Sequence, residues 1–368
     1  MLISSEIFDS VKESFLCFVR AGLGQNEVFP SHAIDWQLMK ALADEHGVSA
    51  VVLDGIERLM AKSSDLKVEI PKDLRRKWIA GMLKNHEGRY RTYKHTLASL
   101  AGFYNMHGFK MMVLKGYACS LDWPQPNHRP CGDIDIWQFG QWKEADAVLA
   151  AEKNVKIGSA HHHHTVFRWN GFSVENHYDF LNVHHHKSNV EMEAILKRLG
   201  QDDSHYTEIE GEKVYLPSAN LHALFMLRHG ISNFASTGFK LRQLLDWAFL
   251  VQKHNTEIDW QWLEKQVEYF GMKKIYDIFN AICIEDLGFD SGIFPKGQFD
   301  PSLKERVLND VLSNEFSEKE SGGFLSRALY KFRRWKANAW KHRLCFKESM
   351  WSAFLSGVWS HLLKPKSV

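Results

Sequence analysis

The sequence predicts an α+β protein whose strands are gathered near the middle of the chain, between helical flanks. Three observations predict it. Apolar residues recur at three- and four-residue spacing through most of the first hundred residues and again after residue 217. Short apolar runs, too short for helices of their own, lie between these flanks. Two dipeptides, Asn170-Gly171 and Glu210-Gly211, interrupt such runs where hairpin turns are expected.

The elements follow in order. "MLISSEIFDSVKESFLCFVRAGLG" carries Glu6, Asp9 and Glu13 among its apolar residues and lacks a basic region followed by an apolar run, so it reads as a helix rather than a signal peptide. "IDWQLMKALADEHGVSAVVLDGIERLM" is helical in spacing, with few breakers. A helix through "YKHTLASLAGFYNMHG" leads into the strand "FKMMVLKG", which Gly116 ends; "YACSLDW" makes a helical turn or two before the Pro124 and Pro126 loop. Strand "GDIDIWQ" and the amphipathic helix "QWKEADAVLAAE" come next. The hairpin "HHHTVFRW", Asn170-Gly171, "FSVENHYDF" is the strongest local signal, since Asn-Gly fits the two left-handed positions of a type I′ turn. A smaller hairpin around Glu210-Gly211 precedes a helix with Ser218 as N-cap, and "FKLRQLLDWAFLVQKH", "IDWQWLEKQVEYFG" and "KKIYDIFNAICIEDLG" are further helices. The expected organisation is a helical N-terminal portion (1–95), an α/β core (96–216), a helical C-terminal domain (217–320) and a basic aromatic tail (321–368).

Composition narrows the class. With 45% hydrophobic and 24% charged residues over 368 positions, the chain is an ordinary globular protein, long enough for more than one packed unit. Five scattered cysteines without a CxxC pair argue against a disulfide framework or a thiolate zinc site and fit the reducing cytoplasm. No apolar run approaches the roughly 18 residues that span a bilayer. The net charge of +2 hides an asymmetry: from Ser321 onward Arg327, Lys331, Arg333, Arg334, Lys336, Lys341, Arg343, Lys347, Lys364 and Lys366 face a single acid, Glu348. These cations alternate with Trp335, Trp340, Trp351 and Trp359. Such a segment packs its aromatics on its own domain, contacts an anionic membrane surface, or binds nucleic-acid phosphates.

The chemistry concentrates at "NHRPCGDIDIW". Asp133 and Asp135, two apart in a strand, point to one side, and Ile134 and Ile136 to the other. Two like charges held side by side repel, unless water reaches them freely or a cation sits between them, so the arrangement suggests a metal; two acids on an exposed strand end are the plain alternative. On the second hairpin strand Ser173, Glu175 and His177 share a face opposite Phe172 and Val174, which adds a third acid.

The segment "LKGYACSLDWPQPNHRPCGDIDI", followed about forty residues later by "VENHYDF", resembles the bacterial uncharacterised nucleotidyltransferase family, within the nucleotidyltransferase superfamily of Asp-x-Asp type. "FKLRQLLDWAFLV" resembles that family's helical continuation, and the likeness runs over roughly residues 35–265. It implies a mixed sheet with helices against it and a metal-dependent transfer of a nucleoside monophosphate from a nucleoside triphosphate such as ATP to an acceptor: a small molecule, a sugar, an RNA end or a protein side chain. Negative charge accumulates on the leaving oxygens in such a transfer, and two hard cations stabilise attacking and leaving oxygens. On this reading Asp133 and Asp135 are metal ligands, and Glu175 is a second-metal ligand or the base that deprotonates the acceptor. Two Mg²⁺ ions are expected, with Mn²⁺ as the alternative. Lys115, Gly116, Arg129 and Gly132 form the expected nucleotide-binding set: the glycines for close backbone approach, the cations for phosphate charge. Lys115 and Arg129 could equally pair with carboxylates, and His177 supports the site.

Where the superfamily usually has Gly-Ser or Gly-Gly, this chain has Gly116-Tyr117, and the gap to Asp133 is long. That departure motivates a rival reading, a catalytically silent module that keeps the fold and binds through its acidic pocket. A second rival is a membrane-surface adaptor driven by the tail. The runs His161–His164 and His184–His186 tempt a metal reading as well. His162 and His164 could meet on one face as a zinc or nickel pair, but neighbours within a strand cannot all converge on one ion. A neutral, partly exposed strand beside an acidic pocket is the simpler reading.

Overall fold

The structure, a computed structural model, describes residues 5–30, 32–62, 70–158, 163–184, 186–236, 238–313 and 324–350. Apolar spacing builds the first flank. Helix α1 (Ser5–Gly22) meets α3 (Ser49–Lys62) backbone to backbone: a Cβ on Gly55 would lie 1.9 Å from the Phe18 carbonyl oxygen. Between them α2 (Trp36–Glu45) starts where the Asp35 carboxylate accepts the N–H groups of Gln37 and Leu38. The long helical stretch of the sequence is therefore two helices, parted at Gly47, whose φ of +65° favours glycine. Helix α4 (Lys72–Met82) passes through a π-turn at 83–88 into α5 (Arg89–Met106). The expected domain boundary at 95/96 falls inside α5.

The middle of the chain supplies a six-stranded mixed sheet. Strand β1 (Met112–Val113) is shorter than the apolar run around it, because the backbone turns at Lys115. Helix α6 (Lys115–Ser120) leads to β2 (Ile134–Trp137), then come α7 (Trp142–Lys153), β3 (His164–Trp169), β4 (Phe172–His177), α8 (Lys187–Leu199), β5 (Tyr206–Ile209) and β6 (Glu212–Tyr215). The spatial order is β3-β4-β2-β1-β6-β5. Strands β2 and β4 pair in parallel, β1 joins β2 antiparallel, and β1 joins β6 in parallel. Both hairpin turns carry the expected positive φ pairs, Asn170 with Gly171 and Glu210 with Gly211.

The second flank is α9 (Ala219–Ala235), α10 (Leu241–His254), α11 (Trp260–Tyr269), α12 (Lys273–Ala281), α13 (Pro301–Leu312), α14 (Phe324–Ala337) and α15 (Ala339–Cys345). Ser218 stands at the start of α9 as expected, although its hydroxyl caps nothing. The helix from Lys273 loosens into a π-turn at Ile282–Asp286.

Two hydrophobic cores result among the described residues. One joins α1–α3 to α9–α13, so the two helical flanks share an interior. The other lies on one face of the sheet, where Ile134, Ile136, Phe172 and Val174 meet Tyr93 and Leu97 of α5 and Leu149 of α7. Within this second core Asn176 is fully buried, its amide donating to Gln138 and Asp146. The described part of the tail packs on the body: Trp340 meets Phe234 edge to face, Arg306 lies over Trp340, and Leu344, Cys345 and Phe346 are buried. Trp351 and Trp359 lie outside the described residues. All five cysteines are buried and unpaired with one another. Among the described residues no helix is long and apolar enough to cross a membrane.

Candidate active site

The sheet's alternation puts Ile134 and Ile136 into the second core, which forces Asp135 onto the opposite face. The same rule acts on β4: Phe172 and Val174 face the core, Glu175 and His177 the other side. Because β2 and β4 are neighbours in parallel register, Asp135 lies directly opposite Glu175 and Trp137 opposite His177. Carboxylates forty residues apart in sequence thus become adjacent.

Their surroundings differ. Asp135 is 3% exposed. Its Oδ1 accepts from Lys115 Nζ at 2.6 Å and meets His177 Nε2 at 3.0 Å. Burial disfavours its charge, but the Lys115 ammonium and the His177 hydrogen bond outweigh that and hold the carboxyl below the usual carboxylate range. Glu175 is partly buried, and its pKa is pushed up to about 7 by burial first and by the Asp135 charge second. Asp133 stands at the exposed rim, at the entrance to β2; its charge still raises both Glu175 and Lys115. Ligand atoms of Asp135, Glu175 and His177 lie within 4.8 Å of one another, a group that does not include Asp133.

The raised Glu175 has a measurable consequence. A carboxyl whose pKa rises from 4.5 to about 7 on folding binds more protons in the folded than in the unfolded state between those values. Stability therefore falls as pH rises through that window, and the loss is complete above it. Glu175→Gln should raise the melting temperature of chelator-treated protein by about 3–6 °C at pH 8 and leave it unchanged at pH 4, as thermal melts at both values would show.

The structure distributes the expected nucleotide-binding set. Lys115 adopts a left-handed backbone (φ +36°) and turns its ammonium onto Asp135 instead of outward. Gly116 is needed for close packing, but by the protein itself: a Cβ there would lie 2.5 Å from the Tyr93 hydroxyl, which donates to the Asp133 carbonyl at 3.0 Å. Arg129 does not face the pocket. It is buried, with Nε and Nη2 on the two oxygens of Asp246 at 2.7 and 2.8 Å and Nη1 on the Gly116 carbonyl at 2.9 Å. It is a strut that ties the Lys115-Gly116 turn to α10. Gly132 is exposed, with open space where a Cβ would be; the exposed cation beside it is Arg89, whose guanidinium donates to the Cys131 and Gly132 carbonyls.

Asp246, Tyr93, Arg89 and His229 escaped the sequence reading. Asp246 left a trace: a lone acid inside the apolar run "LLDWAFL" must be buried, and a buried charge needs a partner. His229 on α9 has its pKa lowered to about 3, by burial first and by the Lys115 ammonium second. Of the histidine runs, His161, His162 and His185 lie outside the described residues. Among the described residues His163 joins His164 beside His177, and His186 stacks on Phe346 at 3.9 Å.

Comparisons with known proteins give the family. Residues 32–285 match the family described as uncharacterised nucleotidyltransferase. Among solved structures the chain is similar to an antigenic nucleotidyltransferase-like protein from Paracoccidioides brasiliensis, at 17% identity and a TM-score of 0.33, over 55% of this chain and 95% of that one. No curated protein matches. The matched segment takes in the whole sheet, the Asp133 and Asp135 pair and helices on both sides, and the chain belongs to the uncharacterised nucleotidyltransferase family.

Proposed function

We propose that this protein transfers a nucleoside monophosphate from a nucleoside triphosphate to an acceptor hydroxyl, using divalent cations. The observation that carries the reading is the pairing of Asp135 with Glu175 across neighbouring parallel strands, with Asp133 at the rim. The donor set fits a hard cation: the carboxylate oxygens cluster in a partly buried pocket, where burial and then the neighbouring Asp135 charge push the Glu175 pKa up to about 7. Asp133, Asp135 and Glu175 would hold Mg²⁺, or Mn²⁺ in its place, which when bound neutralises charge on the phosphate oxygens.

The chain's own residues do the rest. In the other role open to it, held off the ion, Glu175 is suited to take the proton of the acceptor hydroxyl, since a carboxylate of pKa near neutrality is a better base than an ordinary one. Lys115, seated between the Lys-Gly turn and Asp135, supplies a fixed positive charge at the pocket floor. Arg129 holds the turn's geometry through the Gly116 carbonyl. Gly132 leaves room at the rim, and Arg89 offers phosphate a cation there. Full-length protein incubated with α-labelled nucleotides, Mg²⁺ and a cell extract should transfer label, and Glu175→Gln should lower the rate by at least about 100-fold. Transfer at full rate by that variant would refute the assignment.

One observation favours the silent-module reading. Asp135 is buried and already balanced by Lys115 and His177, a state that needs no ion. A silent module would bind nucleotide in the presence of chelator as tightly as with Mg²⁺ and label no acceptor in any extract, and calorimetry with and without the metal separates the two.

A further inference from the structure

Beside the acid pair, where β3 enters and β4 leaves the sheet, three imidazoles meet. His164 and His177 are register partners across the hairpin. His163 precedes β3, so strand alternation does not bind it, and its carbonyl accepts the N–H groups of Tyr178 and Asp179 at 3.0 and 3.1 Å, fixing it over the end of β4. The ring centroids lie 4.4 Å (His163 to His164), 5.4 Å (His163 to His177) and 5.2 Å (His164 to His177) apart. One ring nitrogen from each falls within 4.8 Å of the other two. Nδ1 of His163 is buried and has no hydrogen-bond partner among the described residues. Nδ1 of His177 sits 3.2 Å from the Asp179 carbonyl. Nε2 of the same ring, 3.0 Å from Asp135 Oδ1 and 3.8 Å from Glu175 Oε2, is the nitrogen within reach of the cluster; to ligate an ion it exchanges its hydrogen bond to Asp135 for the metal bond, while the Asp179 carbonyl holds a proton on Nδ1. Glu175 adds oxygens 3.8 Å from His164 Nε2 and 3.8 Å from His177 Nε2.

Three imidazoles and a carboxylate are the wrong donors for Mg²⁺, which takes oxygen, and the right ones for a divalent first-row transition ion. We propose that His163, His164 and His177, with Glu175 alongside, form a binding site for a divalent ion of the zinc class, distinct from the all-carboxylate site and sharing Glu175 with it. Four-coordinate zinc wants its ligand atoms about 3.4 Å apart, so small ring rotations close the cluster around the ion. The site needs neither nucleotide nor transfer and so stands apart from the function proposed above. Its consequence for that function is competition: an ion on the histidines claims Glu175.

The test uses tag-free full-length protein, stripped with chelator and titrated with Zn²⁺ against a chromophoric competitor. One ion per chain is expected, with His163→Ala and His164→Ala each lowering affinity at least about tenfold, and Asp133→Asn and a His161→Ala/His162→Ala double variant leaving it within about threefold. Far-UV circular dichroism of the stripped variants checks that they fold, and zinc should raise the melting temperature of the parent but not of His163→Ala. Affinity unchanged by His163→Ala and His164→Ala, or lost only in the His161/His162 double variant, would overturn the site. Label transfer with Mg²⁺ and no zinc binding would overturn it while leaving the transfer reading intact; zinc binding without transfer would do the reverse.

Discussion

Asp246→Ala should cost the protein about 3–5 kcal/mol, because it strands a buried guanidinium. Asp246 is 3% exposed and accepts three donors: Arg129 Nε, Arg129 Nη2 and Trp123 Nε1, the last at 2.9 Å. Removing the carboxylate leaves all three without a partner in a place water does not reach. A domain stabilised by roughly 5–15 kcal/mol loses a large part of that, so the urea midpoint should drop sharply. The effect should also travel. Arg129 holds the Gly116 carbonyl, and Gly116 follows the lysine that pairs with Asp135. Label transfer by Asp246→Ala should therefore fall further than in Leu263→Ala, a core truncation on α11 with a comparable cost of about 2–5 kcal/mol. Equal activity in the two variants would show that the strut does not support the pocket.

The second large effect concerns Asp135 and Lys115. Asp135→Asn removes the counter-charge from an ammonium held at 2.6 Å in a nearly closed pocket, and about 3 kcal/mol should be lost in metal-free protein. Lys115→Met alone should cost less, because His177 still donates to Asp135. The double variant should recover at least half of the Asp135→Asn loss, since neither charge is then left alone. Denaturant unfolding of the four proteins in chelator closes the cycle. Additive losses would mean that the two groups do not depend on one another, and the electrostatic account of the pocket floor would fail with them.

How much of this was legible follows from what kind of signal each residue leaves. Asp135 and Glu175 were readable because strand alternation is local: Ile134, Ile136, Phe172 and Val174 declare which face is buried, and the acids must take the other. The hairpin was readable because Asn170-Gly171 can hardly be anything else. The family likeness rested on these same segments, and the match over residues 32–285 carries it well into the helices. Arg129 was a different case. Its chemistry suits phosphate and carboxylate alike, and only the packing of α10 decides for Asp246. Tyr93 was invisible because its hydroxyl acts through space on Gly116 and Asp133, 23 and 40 positions further on, with no periodicity to announce it. His163 was missed for a related reason: alternation holds inside a strand, and this residue stands one position outside it.

The tight turn at Asn170-Gly171 has a last consequence. It lies at the far end of the hairpin from the acids, yet it acts as a ruler for them, because its two residues set the register of β4 on β3 and so which β4 side chains share Glu175's face. A one-residue slip between β3 and β4 would bring Asn176 or Val174 into Glu175's place opposite Val166, and the second of these would drive the Glu175 carboxylate in beside Asp146, where Asn176 now donates its amide. The molecule could keep its helices and lose its pocket through an insertion four residues away from the nearest acid.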